Sequence, residues 1–209
     1  MRVAIIGGTG SFGRGLAARL VALDDDEVVI GSRDADRARA TAAELGGKVT
    51  GAANADAVVG VELAVLAVKA DAALETAGAV AARLGRTPLL SVASAIEFRK
   101  GVGALPDADG RSLAERIQDL VEAPVVAGLH SIAAANLGAA PPDEDALVCG
   151  DDPAAKERAL ELADKVVAGR ALDAGPLASA RALEGLTAVI VNLNRRYGAH
   201  AGIRVTGVG

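Results

Sequence analysis

The chain has 209 residues, 51% of them hydrophobic and 23% charged, with a formal net charge of −5. That composition excludes intrinsic disorder and a bare coiled coil, and the length suits one domain or a domain with a small cap. The acidic balance, with Phe12, Phe98 and Tyr197 as the only aromatics, speaks against a nucleic-acid platform, and one cysteine, Cys149, excludes an internal disulfide or a multi-cysteine zinc site.

The opening MRVAIIGGTG breaks into glycine too early for a signal-peptide core. It reads as a strand over residues 2–6 and a turn. Gly8, Gly10 and Gly13 then make a G-x-G-x-x-G between that strand and a helix over 13–23. The spacing serves a tight turn, a backbone open to a pyrophosphate, and close helix-to-strand contact, with the anion held at the helix N-terminus. Gly8, Thr9, Gly10, Ser11, Phe12 and Gly13 are therefore candidate nucleotide contacts.

A second strand over 27–31 runs into Gly31-Ser32-Arg33. An NAD site places a carboxylate there to accept hydrogen bonds from the ribose hydroxyls. A hydroxyl and a guanidinium suit a 2′-phosphate instead, and Arg37, one turn into a helix over 35–45, adds a second cation. NADP is thus expected in preference to NAD.

Further strands are expected at 48–51, 63–68, 88–92 and 125–129, with helices at 71–84 and 111–121. This alternation predicts an α/β fold of Rossmann type, a doubly wound and mainly parallel sheet. The strand ends bring Val68 and Lys69, Ser91 and the residues up to Ala95, and His130, Ser131 and Ile132 to one crevice. Lys69 suits a phosphate or carboxylate, or a surface role with its stem packed down. His130 suits a ligand contact, a proton relay or a structural imidazole. The uncharged stretch 123–142 holds Pro124, His130, Ser131 and Asn136, too costly to bury in lipid.

The tail predicts a strand at 146–149, a helix opened by Asp152-Pro153 and running to about 167, a turn at 173–176, and a last helix over 178–197. On that helix Leu183, Leu186, Val189, Ile190 and Leu193 form one stripe, suited to the sheet or to a second copy, so a homodimer is expected. The organisation expected is a dinucleotide-binding domain over 1–150 and a C-terminal helical region over 151–209 that packs on it and contributes to a second-substrate site. Cys149 reads as a packing residue, His200 as a solvated loop residue, and Asp151-Asp152 as a helix cap rather than a metal site. Neither G-x-S-x-G nor H-E-x-x-H occurs, so no catalytic side chain and no metal are assigned.

With these residues in view, the chain resembles the NADPH-dependent reductases of the deazaflavin coenzyme F420 over close to its full length. The resemblance rests on MRVAIIGGTGSFGRGLA, Gly31-Ser32-Arg33, Gly128-Leu129-His130-Ser131-Ile132, Val148-Cys149-Gly150-Asp151-Asp152 and the segment from Leu172 to Leu177. It implies direct hydride transfer between nicotinamide C4 and deazaflavin C5 of two stacked rings, with NADP and coenzyme F420 as the bound partners. It also implies nucleotide contacts from Thr9 to Phe12 and at Ser32 and Arg33, with the deazaflavin on the segment from His130 to Ile132 and the C-terminal part. Two departures stand where the second substrate enters: Lys69-Ala70 replaces a bulky pair, and Ala133 replaces a frequent proline. The alternatives are an NADP-dependent carbonyl or imine reductase using His130 or Tyr197 as proton donor, and a non-enzymatic NADP(H) sensor. A cytoplasmic location, with no nucleic acid or membrane partner, is expected throughout.

Overall fold

The computed structural model describes residues 1–23, 26–138 and 140–208. Along the chain run β1 (Arg2–Ile6), α1 (Ser11–Val21), β2 (Glu27–Ser32), α2 (Ala35–Leu45), β3 (Val49–Ala53), α3 (Asn54–Ala57), β4 (Leu63–Leu66), α4 (Ala70–Leu84) and β5 (Leu89–Ser91). They are followed by β6 (Ile96–Arg99), β7 (Gly103–Pro106), α5 (Leu113–Gln118), β8 (Val125–Gly128), β9 (Ala146–Gly150), α6 (Pro153–Val166), β10 (Ala171–Asp173) and α7 (Ala180–Tyr197).

β1 sets the architecture. Val3 and Ile5 point to one face and Ala4 and Ile6 to the other, and all four are buried, as in a parallel strand covered on both sides. The sheet order is β3-β2-β1-β4-β5-β8-β9-β10. The first six positions are parallel and follow the dinucleotide-binding order, reversing between β1 and β4. β9 then runs antiparallel to β8, and β10 returns parallel to β9 after the α6 crossover.

Helices α1, α2 and α6 cover the Val3 and Ile5 face through Leu16, Leu20, Ala38 and Leu162. α4, α5 and the start of α7 cover the other face through Ala77, Val80, Ile117 and Leu183. Each fully buried leucine contributes about 1.5–3 kcal/mol relative to exposure, and the many alanines let the helices sit close. At the bottom of the sheet, the carboxylate of Asp26 accepts from the Met1 amino group at 2.8 Å and from Lys165 at 2.9 Å, tying the chain start to α6.

The Rossmann-type doubly wound sheet is as expected, with element ends shifted by a few residues. Three local features depart from the reading. β6 and β7 form an antiparallel hairpin where no element was assigned. β10 adds a strand just before the segment read as a turn, overlapping it only at Asp173. A single 3₁₀ turn, Ala134–Asn136, follows the β8 end.

Candidate functional site

The glycine turn is shaped by close approach. Gly7 has φ +75°, and a Cβ on Gly13 would stand 2.6 Å from the Gly8 Cα, so α1 can rest on the turn only through a bare backbone. The Gly8 N–H donates to the carbonyls of Ile5 and Gly31 at 3.0 and 2.9 Å. Asn54, which the sequence reading passed over, accepts the Gly7 N–H at 3.3 Å and pins the turn from α3.

α1 opens at Gly10 with no side-chain cap and no acidic residue in its first turn. By contrast α2, α5 and α6 are capped by Asp34, Ser112 and Asp152. The first-turn N–H groups of Ser11, Phe12 and Gly13 have no intrahelical acceptor, so the positive end of the helix is left to an external anion.

At the end of β2, Ser32 is buried and its Oγ accepts the Asp34 N–H at 3.2 Å. Asp34, not Ser32, caps α2, accepting from Asp36 and Arg37. Arg33 and Arg37 are exposed, and among the described residues neither forms an ion pair, whereas Arg39 is held by Asp36. Two guanidinium groups without a carboxylate partner among the described residues thus belong to the end of β2 and the first turn of α2.

Between the ends of β1, β4, β5 and β8 lies a cavity of about 570 Å³. Phe12 and Val68 form its side nearest the glycine turn, Lys69 its rim, Ile96 and Phe98 of the hairpin its outer wall, and His130, Ile132 and Thr187 its far wall. Ser91 and Ser131 are buried next to these residues but do not line it.

The polar atoms here are unusually bare. Among the described residues, both nitrogens of His130 and the hydroxyls of Ser91 and Ser131 are buried without a hydrogen-bond partner. Buried polar groups are nearly always bonded; of these three residues only His130 lines the cavity, so only its ring is placed to meet a bound molecule. Burial pushes the His130 imidazole down to about 4, against a weaker opposing pull from the backbone of Ala93, whose contact falls short of hydrogen-bond geometry. The ring is therefore neutral at physiological pH, able to donate at one nitrogen and accept at the other. Leu129, just before it, has φ +64°, a strained left-handed conformation for a branched side chain at the turn that aims His130.

Helix α7 fastens this wall. Thr187 donates to the His130 carbonyl at 2.9 Å and lies 2.7 Å from the Ser94 hydroxyl. Asn192 accepts the Ala104 N–H at 2.8 Å and donates to its carbonyl at 2.7 Å, binding the hairpin. Buried Glu184 accepts from the N–H groups of Leu113 and Ala114, and its carboxyl is pushed up by burial. None of the three was singled out from sequence. Their signal was polar residues on the apolar side of an amphipathic helix.

The other candidates lie apart. Cys149 is buried in β9, its thiol pushed up to about 11 by burial. Asp151 accepts the Leu177 N–H at 2.9 Å and Asp152 caps α6. His200 and Tyr197 are exposed and outside the cavity lining.

Residues 2–95 match the family model described as NADP oxidoreductase, coenzyme F420-dependent. The F420-dependent NADP reductase of Methanothermobacter marburgensis is 37% identical, with 99% of this chain and 98% of that protein aligned. The protein of the same name from Methanocaldococcus jannaschii is 30% identical over 99% and 98%. Among solved structures, a candidate F420-dependent NADP reductase from Arthrobacter sp. FB24 superposes with TM-score 0.83 at 29% identity, covering 99% of this chain and all of that one.

Proposed function

The chain belongs to the coenzyme F420-dependent NADP oxidoreductase family, and from that premise we propose how its crevice serves hydride exchange between NADP(H) and the deazaflavin. The carrying observation is the 570 Å³ cavity that opens beside the uncapped start of α1 and ends on a neutral imidazole with no partner.

In this reading the pyrophosphate of NADP(H) rests on Gly8, Thr9, Gly10, Ser11, Phe12 and Gly13, whose shape leaves room for it and whose helix dipole favours it. Ser32, Arg33 and Arg37 take the 2′-phosphate. Val68 and Phe12 guide the nicotinamide into the cavity, where Lys69, His130 and Ile132 border the deazaflavin, with Ser91 and Ser131 behind them. When both are bound, the nicotinamide and the deazaflavin supply the electronics of hydride transfer between C4 and C5 themselves. The protein's part is to hold two flat rings face to face and exclude water.

The bare imidazole of His130 on the far wall fits such a guest, whose ring carbonyls and N–H groups offer the missing partners. Reduction of a carbonyl or imine is less well supported, because it needs a proton donor. His130 is uncharged at neutral pH, and Tyr197 is 71% exposed at the far end of α7.

The division at about residue 150 is kept as a proposal: the segment 151–209 serves the second substrate through Thr187. We also propose a homodimer, since Val189, Leu193 and Tyr197 recur every four residues on α7 and remain exposed. A reducing, cytoplasmic setting suits the single buried thiol. Mixing the protein with NADPH and oxidised coenzyme F420 tests the assignment. Loss of the deazaflavin absorbance with matching oxidation of NADPH is expected, and an unchanged spectrum contradicts it.

A further inference from the structure

Phe98 is shared between the cavity and a second concave surface of about 640 Å³, formed by the turn of the β6–β7 hairpin and the C-terminal end of α7. Arg99, Lys100, Arg195 and Arg196 line it. Only Arg99 has a carboxylate there, Glu97 at 3.2 Å; among the described residues Lys100, Arg195 and Arg196 form no ion pair. In a chain of net charge −5, four cations around one groove with a single acid between them form a local field opposite to that of the molecule. The negative end of the α7 dipole accounts for Arg195 and Arg196. It does not account for the two cations that the hairpin turn holds against them.

The rest of the wall is Phe98, Val102, two glycines of the hairpin turn and Asn192. Phe98 is 63% exposed, and the Arg195 guanidinium lies 6.0 Å from its ring centroid. A ligand leaving the cavity past Phe98 therefore meets an aromatic ring and then three cations that, among the described residues, have no carboxylate partner. We propose that this groove binds the anionic tail of the deazaflavin cosubstrate, its phosphodiester and glutamyl carboxylates, an inference that rests on the deazaflavin ring occupying the cavity. Coenzyme F420 carries that charge on a flexible chain attached to the ring, so ring and tail fall to adjoining surfaces. Exposed charge pairs are individually weak and screened by salt, so the groove adds affinity by number and placement.

The test is an equilibrium fluorescence titration of wild-type protein and of the combined variant Lys100→Gln, Arg195→Gln, Arg196→Gln. The probes are intact coenzyme F420 and the deazaflavin riboside that lacks phosphate and glutamates. Wild-type protein is expected to bind the intact coenzyme about tenfold more tightly than the riboside at low salt, and the variant to lose that difference. The wild-type difference shrinks as salt is raised.

Equal binding of the two probes by wild-type protein overturns the proposal, as does a difference that survives in the variant. A variant whose loss is instead in NADPH affinity assigns the cations to the nucleotide and overturns it as well. Survival of the difference together with a change in sedimentation assigns the groove to contact between copies of the chain. If neither probe binds wild-type protein, the failure is that of the ring assignment itself, and it is told apart because the riboside then fails too. All three substituted residues are exposed, so the fold does not depend on them.

Discussion

Thr187 of α7 donates its hydroxyl proton to the main-chain carbonyl of His130 at 2.9 Å, joining residues 57 apart in sequence. Because that proton is committed, the contact with Ser94 at 2.7 Å must be donated by Ser94. One short chain of hydrogen bonds thus fixes α7, the loop after β5 and the strained turn after β8 against one another.

Replacing Thr187 with Val keeps the shape and removes this link. The expected cost is about 1–3 kcal/mol from the His130 carbonyl and Ser94 hydroxyl left without it, read as a lower urea midpoint. The KM for the deazaflavin should rise while that for NADPH changes little, and Thr187→Ser should restore both. Equal effects on the two KM values would show that α7 acts on the whole crevice rather than on its far wall.

Among the described residues Arg33 has no ion pair to lose, so Arg33→Ala should leave stability unchanged and act on nucleotide choice. A charge-assisted bond to phosphate is worth roughly 1.5–3 kcal/mol, so NADPH affinity should fall about tenfold to a hundredfold while NADH affinity stays level. Steady-state kinetics with both nucleotides measures the ratio, and an unchanged NADPH to NADH preference removes Arg33 from the site.

Gly13→Ala and Gly10→Ala separate packing from general glycine loss. The added methyl stands 2.6 Å from the Gly8 Cα at position 13, but 3.3 Å from the Gly7 oxygen at position 10. Overpacking predicts a loss of about 1–3 kcal/mol for Gly13→Ala and a smaller one for Gly10→Ala. Denaturant midpoints decide the order.

His130 makes stability depend on pH. Its imidazole titrates near 6.5 when unfolded and at about 4 when folded. Between these values the unfolded chain binds more protons, so stability is full above about 6.5 and falls as pH drops towards 4, by roughly 3 kcal/mol in all. Arg170 beside Asp145 holds that carboxyl well below the usual range, so its contribution persists above 3.8 and is lost only at lower pH. Urea titrations from pH 4 to 7 should show the slope in wild-type protein and a flatter one in His130→Gln.

The parallel sheet and the nucleotide turn were legible because their signals are local. Two-sided apolar strands such as Val3 to Ile6 and the glycine spacing before α1 need no tertiary information. The β6–β7 hairpin left a fainter mark, Ile96 and Phe98 alternating with Glu97 and Arg99 before a Gly101 turn at φ +79°. β10 is three residues long, too short for any period to show, and it exists because β9 offers it an edge. Leu129 gives no hint of its left-handed backbone, since the surrounding turn imposes it. Thr187, Glu184 and Asn192 could not be assigned to the site because their partners lie between 57 and 93 residues away.

The most direct test of the central claim is a reaction with NADPH deuterated at nicotinamide C4 on the transferred face. The account predicts that the label appears at C5 of the reduced deazaflavin, with none lost to solvent and a primary isotope effect on the single-turnover rate. Label released to water, or turnover without any in the deazaflavin, would contradict transfer between two rings held face to face in the crevice.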